Sequence, residues 1–294
     1  MLNLQLNPKT SSELADYSIT YGDRVLDLAS PKVMGIINAT SDSFYANSRV
    51  GGISAFLKKA EQMISEGAYI IDLGAFSSRP TAKVIEEAVE WSILEPLIQA
   101  FITEFPQIPL SIDTFRSNIA EKSLDCGVRM INDISAGQWD ATMYQKVHKY
   151  NAAYIMMHMR GAIGAMMEAE HLVYENIISD IATFFANQIH LAAQNQLTNI
   201  IIDPGFGFSK TRSQNYQILK NLSSFHFLAK PILIGISRKS MIYKLLDSSP
   251  EEALHGSNAA SILSLIAGAS IIRTHDVKET LDGIKIFNAW NDAD

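Results

Sequence analysis

Short apolar runs recur along the chain, and each is followed by a polar residue of a type that binds or reacts. The runs lie at residues 33–37, 69–71, 109–112, 129–131, 153–157, 200–202, 231–236 and 270–272. Continuous apolar runs of this length are typical of strands that are buried on both faces of a parallel sheet. The pattern therefore predicts eight buried parallel strands.

Helical patterns fill the intervals between these runs. In the interval 53–65, for example, Phe56, Ala60 and Met63 recur at the spacing of an amphipathic helix. The other predicted helices span 86–105, 116–125, 141–150, 173–194, 214–222, 257–267 and 278–290. Repeated right-handed strand–helix crossovers can wind into an open sheet or close into a barrel, and a polar residue at every strand end favours closure. We therefore predict an α/β fold, the (β/α)8 TIM barrel.

The domain organisation is predicted to be simple. No linker or low-complexity segment interrupts residues 31–294, which we assign to one barrel domain. Barrels of this kind run to about 250 residues as a single domain. Residues 1–30 form an N-terminal extension, and weak alternation at 18–28 predicts a hairpin that caps the barrel floor.

Composition narrows the function classes. The net charge is −7, and the basic stripe expected of a nucleic-acid partner is missing from the sequence. No apolar run approaches the roughly 20 residues of a membrane span, and the amino terminus lacks the apolar segment of a signal peptide. The single cysteine, Cys126, excludes a disulfide framework and a cysteine metal site. We expect a cytoplasmic enzyme that acts on small molecules.

The strand ends supply the candidate chemistry. In a closed parallel barrel the carboxyl ends of all strands open on one face, which holds the active site. The predicted ring around that face consists of Asn38, Asp72, Asp113, Asn132, His158, Asp203, Lys239, Arg273 and His275. Three connections, at 39–52, 74–83 and 205–214, are expected to be functional, and the first is long enough to act as a lid.

Ordered motifs carry a family resemblance. The segments are MGIINATSDSF, IIDLGAFSSRP, SIDTFR, INDIS, MMHMRG, IIDPGFGFSKT, IGISRKS and IIRTHDVKET, and together they span about residues 32–290. In this order they resemble the dihydropteroate synthases, the folate-pathway enzymes that sulfonamides inhibit. That family has a (β/α)8 barrel, which agrees with the architecture predicted above.

The resemblance implies a transferase reaction. The family joins 6-hydroxymethyl-7,8-dihydropterin diphosphate to p-aminobenzoate, releases diphosphate and is assisted by Mg²⁺. It also implies a homodimer, formed through helices in the region of residues 257–290. The implied mechanism is dissociative: diphosphate leaves, a carbocation-like pterin forms, and the aniline nitrogen attacks it while closed loops exclude water.

The implied pterin subsite combines hydrogen-bonding groups with apolar walls. Carboxylates accept the N–H groups of a pterin, and an asparagine offers both a donor and an acceptor. By resemblance the polar set is Asp113, Asn132, Asp203 and Lys239, and the walls are Met159 and Ile134. The implied catalytic set is Lys239, Asp113, Arg79 and Asp42.

The implied diphosphate subsite is basic. Arg273, His275, Arg79 and Asn38 are its candidate residues, because arginine forms bidentate contacts with phosphate oxygens. Mg²⁺ usually takes only one or two protein ligands beside substrate phosphates and water. Asn38, with Asp42 as a possible second ligand, is therefore the candidate metal site.

The implied p-aminobenzoate subsite uses rings for the ring, and a cation and hydroxyls for the carboxylate. Its candidates are Phe44, Ser78, Pro80, Phe206, Phe208, Lys210 and Ser240. Here the chain departs from the family pattern. Phe76 replaces an acidic residue, Thr81 replaces glycine, and Ser209 replaces glycine before Lys210. The departures leave p-aminobenzoate affinity and sulfonamide sensitivity open.

Three other functions stay open at this point. A methyltetrahydrofolate–corrinoid methyltransferase would share the pterin readers but has no need of the Arg79 loop, the 237–239 segment or the Arg273 and His275 pair. A non-catalytic paralogue would bind the pterin diphosphate without turnover. Another barrel enzyme of phosphorylated small molecules would differ in ligand specificity.

Overall fold

Parallel strands wind into a barrel in the computed structural model, which describes residues 17–39, 49–75 and 84–293. The strands are β1 (Ser18–Tyr21), β2 (Arg24–Asp27), β3 (Lys32–Asn38), β4 (Ile70–Gly74), β5 (Leu110–Asp113), β6 (Met130–Asp133), β7 (Ala153–Met157), β8 (Ile200–Asp203), β9 (Leu233–Ile234) and β10 (Ile271–Thr274). Strands β3 to β10 form one parallel sheet of eight. A parallel bridge between Ile202 and Ile232 joins its two edges, which confirms the predicted (β/α)8 barrel.

Helices connect the strands. They are α1 (Arg49–Ser65), α2 (Glu87–Glu104), α3 (Ser117–Asp125), α4 (Met143–Lys149), α5 (Ile177–Gln194), α6 (Arg212–Lys220), α7 (Ser240–Tyr243), α8 (Leu254–Ile266) and α9 (Val277–Asn291). Helix α5 begins later than predicted because Asn176 Oδ1 accepts hydrogen bonds from the backbone N–H groups of Ile178 and Ser179 and caps the first turn. The four-residue helix α7 was not predicted. No helix in the described ranges has the length and apolar content of a membrane span.

Strand alternation divides the side chains between the barrel interior and the helix layer. In β8, Ile200 and Ile202 belong to the large cluster that includes helix residues, whereas Ile201 belongs to a second cluster inside the barrel. Asp203 follows Ile201 by two residues and therefore lies on the same face as Ile201. The alternation of side chains along β8 thus aims Asp203 into the barrel.

A two-stranded hairpin packs on the amino-terminal end of the barrel. Strands β1 and β2 pair antiparallel. The buried side chains of this segment, Ile19, Tyr21, Leu26 and Leu28, share one cluster with Met34, Ile70, Met130, Ala153, Ile155, Ile201, Leu233 and Ile271 of the barrel strands. The described part of the extension therefore completes the apolar floor beneath the site. The domain division at residue 30 stays a prediction.

Replacement of a floor residue tests this packing. Leu26 is 0% exposed, whereas its neighbour Val25 is 56% exposed. We expect Leu26→Ala to lower the free energy of unfolding by about 2–5 kcal/mol, because it removes buried apolar surface and leaves a cavity. Urea denaturation measures the change, and Val25→Ala is the matched control. Equal effects of the two substitutions would contradict packing of the hairpin on the barrel.

Candidate functional site

A charged network crosses the barrel at the carboxyl ends of β4, β5, β6 and β10. Arg273 Nε donates to Asp72 Oδ2 at 2.7 Å, and Arg273 Nη2 lies 3.2 Å from Asp113 Oδ2. Asn132 Nδ2 donates to Asp72 Oδ2 at 3.1 Å. The strand register explains part of this proximity, because Asp113 lies directly opposite Asn132 on the neighbouring strand. Three predicted site residues, Asp113, Asn132 and Arg273, are therefore brought together.

Asp113 sits in this network among other carboxylates. Burial raises the pKa of Asp113 to about 7, and the charges of Asp72 and Glu90 act in the same direction, whereas the Arg273 guanidinium lowers it. Two carboxylates that share one guanidinium cannot both gain its full stabilisation. A proton therefore binds to or leaves this network near neutral pH.

Lys239 and Asp203 form the second charged part of the site. Lys239 Nζ donates to the backbone carbonyl of Phe206 and lies 4.3 Å from the ring centroid of Phe208. Burial lowers the pKa of Lys239 to about 8, and the negative charge of Asp203 opposes that shift. A Cβ atom built on Gly235 would lie 3.9 Å from both Arg273 Cδ and Asp203 Oδ2. The two charged parts thus flank Gly235, the residue directly after β9.

The loop after β8 depends on a close backbone approach at Gly205. Its φ is 73°, and a Cβ at this position would lie 2.1 Å from the carbonyl oxygen of His158, so only glycine fits. The backbone N–H of Gly205 donates to Asp203 Oδ1 at 2.8 Å. Glycine at 205 therefore lets the loop turn in the way that holds the Asp203 carboxylate.

An apolar cluster lies near these charges at the same end of the barrel. Its buried members are Ile134, Met157, Met159, Met166 and Phe208. Phe115 and Ile163 pack against it while partly buried. Ile134, Met159 and Phe208 were predicted to line the substrates, and the structure brings all three together in this cluster.

The loops after β9 and β10 are joined by two side-chain contacts. Ser237 Oγ lies 3.1 Å from His275 Nδ1. Arg238 Nε and Nη2 donate to the two oxygens of Asp276, at 3.0 and 2.6 Å. Arg238 adopts a φ of 56°, a conformation that costs a side-chain-bearing residue about 1 kcal/mol or more. These contacts hold the segment of Lys239 beside the segment of His275.

Two predictions for p-aminobenzoate binding are corrected. Lys210 is 2% exposed, and its Nζ lies 2.9 to 3.1 Å from the carbonyl oxygens of Phe208, Gly205 and His158. Its ammonium group is therefore committed to the backbone and not presented to a carboxylate. The Phe206 ring is fully buried in the cluster between barrel and helices, so it lies away from the barrel opening.

His158 is also corrected, since it does not join the ring of polar residues. Its ring lies 4.8 Å from the ring of Phe184 on α5 and contacts Phe185. Burial lowers the pKa of His158 well below its usual value, and its Nδ1 lies 3.0 Å from Lys210 Nζ. The neutral imidazole is part of the packing between β7 and α5.

The remaining predicted residues are distributed as follows. Asn38 is half-buried at the end of β3, and its side chain hydrogen-bonds to no other residue in the described ranges. Ser240 is exposed at the first residue of α7. Asp42, Phe44, Ser78, Arg79 and Pro80 lie outside the described residues.

Two features were given no role in the sequence analysis. Asp72 appeared there only as one member of the ring, yet it contacts both Arg273 and Asn132. Its position two residues before the end of β4, on the inward face, was the available signal. Among described residues, one group of three possible metal ligands, Glu168, Glu170 and His171, lies on the connection after β7.

Comparison with known proteins identifies the class. Residues 34–275 match the family of pterin binding enzymes. The chain is 36% identical over 266 residues to the dihydropteroate synthase of Escherichia coli K12, covering 90% of this chain and 93% of that protein. A crystal structure of the Yersinia pestis dihydropteroate synthase with a sulfonamide drug complex is 35% identical, with a TM-score of 0.87, and the match covers 94% of this chain and 100% of that one. The Thermus thermophilus enzyme in complex with 4-aminobenzoate is 30% identical, with a TM-score of 0.83 and coverage of 93% and 99%.

The chain is thus a member of the class of pterin binding enzymes. Within that class the chain belongs to the dihydropteroate synthase family, whose members are transferases of folate biosynthesis. This confirms the family that the ordered motifs indicated.

The corrected role of Lys210 can be tested by stability. Lys210→Met keeps the volume but removes the donor to three buried carbonyls, so we expect the free energy of unfolding to fall by about 2–5 kcal/mol. Urea denaturation gives the value, and Lys220→Met at the exposed end of α6 is the control. Should the two variants be equally stable, the ammonium of Lys210 is not an anchor of this loop.

Proposed function

We propose that the carboxyl end of this barrel binds 6-hydroxymethyl-7,8-dihydropterin diphosphate and joins it to p-aminobenzoate, with release of diphosphate. The observation that carries the proposal is the convergence of Arg273 on Asp113, next to Asn132 and close to Asp203 and Lys239. Groups of both signs at one barrel mouth suit a substrate with a hydrogen-bonding heterocycle and an anionic leaving group.

The proposed pterin subsite pairs each edge of the heterocycle with a complementary side chain. The carboxylates of Asp113 and Asp203 accept its N–H groups, and the amide of Asn132 offers a donor and an acceptor. Lys239 donates to the acceptor side, and Ile134 and Met159 cover the ring faces. Because unpaired buried polar groups are costly, such a subsite rejects heterocycles that lack the matching pattern.

The proposed diphosphate subsite lies on the adjoining strand ends. Arg273 uses Nε and Nη2 for carboxylates, and Nη1 makes no hydrogen bond to another described residue. That donor is available to a phosphate oxygen. His275, whose Nδ1 lies 3.1 Å from Ser237 Oγ, is proposed to contact the same diphosphate. Arg79, outside the described residues, is proposed to close over the same charge.

Asn38 fits the proposed Mg²⁺ site. Asn38 is the last residue of β3, which pairs with the strand that carries Arg273. Its amide oxygen is a ligand type that Mg²⁺ takes, and one or two protein ligands suffice beside substrate phosphates. Asp42 is the proposed second ligand. When bound, Mg²⁺ supplies positive charge that neutralises the leaving diphosphate.

The proposed reaction substitutes nitrogen for oxygen at the pterin methylene group. The carbon–oxygen bond breaks, and its electron pair leaves with diphosphate, whose charge Arg273 and His275 stabilise. The carboxylates of Asp113 and Asp203 stabilise positive charge on the pterin. The aniline nitrogen of p-aminobenzoate then forms the new bond and loses a proton. Its lone pair is weakly basic, so no strong general base is needed.

The proposed p-aminobenzoate subsite is smaller than the sequence indicated. Phe208, which also contacts the Lys239 ammonium, is the proposed ring contact. The exposed hydroxyl of Ser240 is the proposed partner of the carboxylate, together with Phe44, Ser78 and Pro80. The Thermus thermophilus relative is described with 4-aminobenzoate bound, which supports this substrate.

A cytoplasmic location for the protein is an expectation from the sequence.

A turnover assay tests the proposal. Purified protein, Mg²⁺, the pterin diphosphate and p-aminobenzoate are mixed, and dihydropteroate and diphosphate are quantified. We expect Asp203→Ala and Lys239→Ala to lower turnover by at least about a hundredfold, because each removes a charged contact to the pterin. Lys220→Ala is the surface control. Tight binding of the pterin diphosphate without product would instead indicate the non-catalytic paralogue.

A homodimer is the proposed assembly. Ile286 is 71% exposed, and Trp290, four residues later on the same face of α9, is also exposed. Leu263 on the neighbouring helix α8 is a further exposed apolar residue. Scattered exposed apolar residues are ordinary, but several on adjacent helices favour an interface.

Sedimentation measures this assembly. We expect the wild-type protein to sediment as a dimer and Ile286→Glu to sediment as a monomer, because a charge at a buried interface position is costly. Lys285→Glu, at the preceding exposed position, is the control and should remain a dimer. A monomeric wild-type protein would refute the assembly and leave the proposed reaction unaffected.

A further inference from the structure

Asp72 lies two residues deeper along the barrel strands than Asp113, one of the residues proposed to touch substrate. In the strand register Asp72 is opposite Ser111, whereas Asp113 is opposite Gly74. Two residues along a strand correspond to about 6.6 Å. We propose that Asp72 is a positioning residue, which orients Arg273 and Asn132 for the substrate through its contacts with both. The inference rests on the proposed function of those two residues.

One carboxylate oxygen of Asp72, Oδ2, makes all of its described side-chain contacts. The residue is 0% exposed. Its Oδ2 accepts from Arg273 Nε at 2.7 Å and lies 2.6 Å from Arg273 Nη2, and it also accepts from Asn132 at 3.1 Å. Its Oδ1 is buried without a hydrogen-bond partner in the described part of the chain. These contacts bind the Asp72 carboxyl group to one edge of the guanidinium and fix the position of that guanidinium.

Fixing Arg273 in this way matters because an unrestrained arginine loses considerable rotamer entropy on binding an anion. Asp72 holds the Nε edge of the guanidinium, so the remaining Nη1 has a defined place. The same oxygen restrains the Asn132 amide with its nitrogen toward Asp72, which leaves the amide oxygen to accept from the pterin. One carboxylate therefore presets a donor for diphosphate and an acceptor for pterin.

A second consequence separates this role from simple packing. Charged groups reach Asp113 from every neighbouring element: Arg273 on β10, Asp72 on β4, Glu90 on α2, Asp133 on β6 and Lys239 after β9. Among the carboxylates, Asp72 acts on Asp113 more strongly than Glu90 or Asp133. Removal of the Asp72 charge also leaves Arg273 to Asp113 alone. Both changes lower the pKa of Asp113.

The test is the pH dependence of kcat/KM for the pterin diphosphate, which reports groups of the uncomplexed enzyme. In the wild-type enzyme kcat/KM should fall below about pH 7, where Asp113 becomes protonated. In Asp72→Asn this acid limb should move down by about one pH unit, and kcat/KM above it should drop about tenfold to a hundredfold as Arg273 loses its orientation.

Glu90→Gln is the matched control. Glu90 is also fully buried and also raises the pKa of Asp113, but it bonds to Thr114 and Arg116 and not to Arg273. This variant should show a smaller shift of the acid limb and an unchanged plateau. A plateau loss equal to that of Asp72→Asn would overturn the positioning role. Should Asp72→Asn fail to fold, Asp72→Ser provides the same loss of charge with a small polar side chain.

Binding of inorganic diphosphate, measured by calorimetry, keeps this test independent of turnover. Weaker binding to Asp72→Asn than to the wild-type protein supports the positioning role even where no dihydropteroate forms. Product formation with an unchanged acid limb and plateau in Asp72→Asn overturns the inference and leaves the proposed function intact. Equal diphosphate affinity of the two proteins also overturns it.

Discussion

The site depends on one largely buried guanidinium, that of Arg273, which is shared between two carboxylates. Removing charges from water costs several kcal/mol for each ion, and the mutual attraction repays this only in good geometry. Arg273 meets that condition for Asp72, with contacts of 2.6 and 2.7 Å, and less fully for Asp113, at 3.2 Å. The imbalance leaves Asp113 with less of the guanidinium's stabilisation, and burial raises the pKa of Asp113. A substrate that brings N–H donors to Asp113 would supply what Arg273 cannot.

Closure of the barrel provides the surroundings in which these charged groups can pair. The apolar floor beneath the charged layer excludes water, and strand alternation sends polar side chains inward while their neighbours pack against helices. Asp133 illustrates the outward option. It follows Asn132 directly, yet it accepts hydrogen bonds from Ser135, in the turn after β6, and from Tyr154 on β7, whose side chain belongs to the cluster between barrel and helices. Asn132 and Asp133 thus serve different purposes, because successive side chains of a strand point to opposite faces with a period of two.

This period also sets how far the sequence could predict the site. The fold and the inward placement of Asp113, Asn132 and Arg273 were predictable, because buried parallel strands are continuous apolar runs and their ends are marked by polar residues. His158 was mispredicted because it directly follows β7 but its ring packs toward α5. The predicted roles of Lys210 and Phe206 failed for a related reason. A loop motif specifies residue types, but only tertiary contacts decide which side chains face the opening.

Ser209, which replaces the glycine of the family pattern before Lys210, is accommodated by local hydrogen bonds. The position has a φ of 46°, which favours the glycine of the family and costs serine about 1 kcal/mol or more. Its Oγ accepts from the backbone N–H of Arg160 at 2.8 Å, and its carbonyl accepts from the Tyr174 hydroxyl at 3.0 Å. The Oγ bond is one that glycine cannot make, and a net contribution near 1 kcal/mol offsets the strain. The loop therefore retains its turn, and the adjacent Lys210 still reaches its three carbonyls, including that of Phe208. The same loop presents the Phe206 carbonyl, which accepts a hydrogen bond from Lys239.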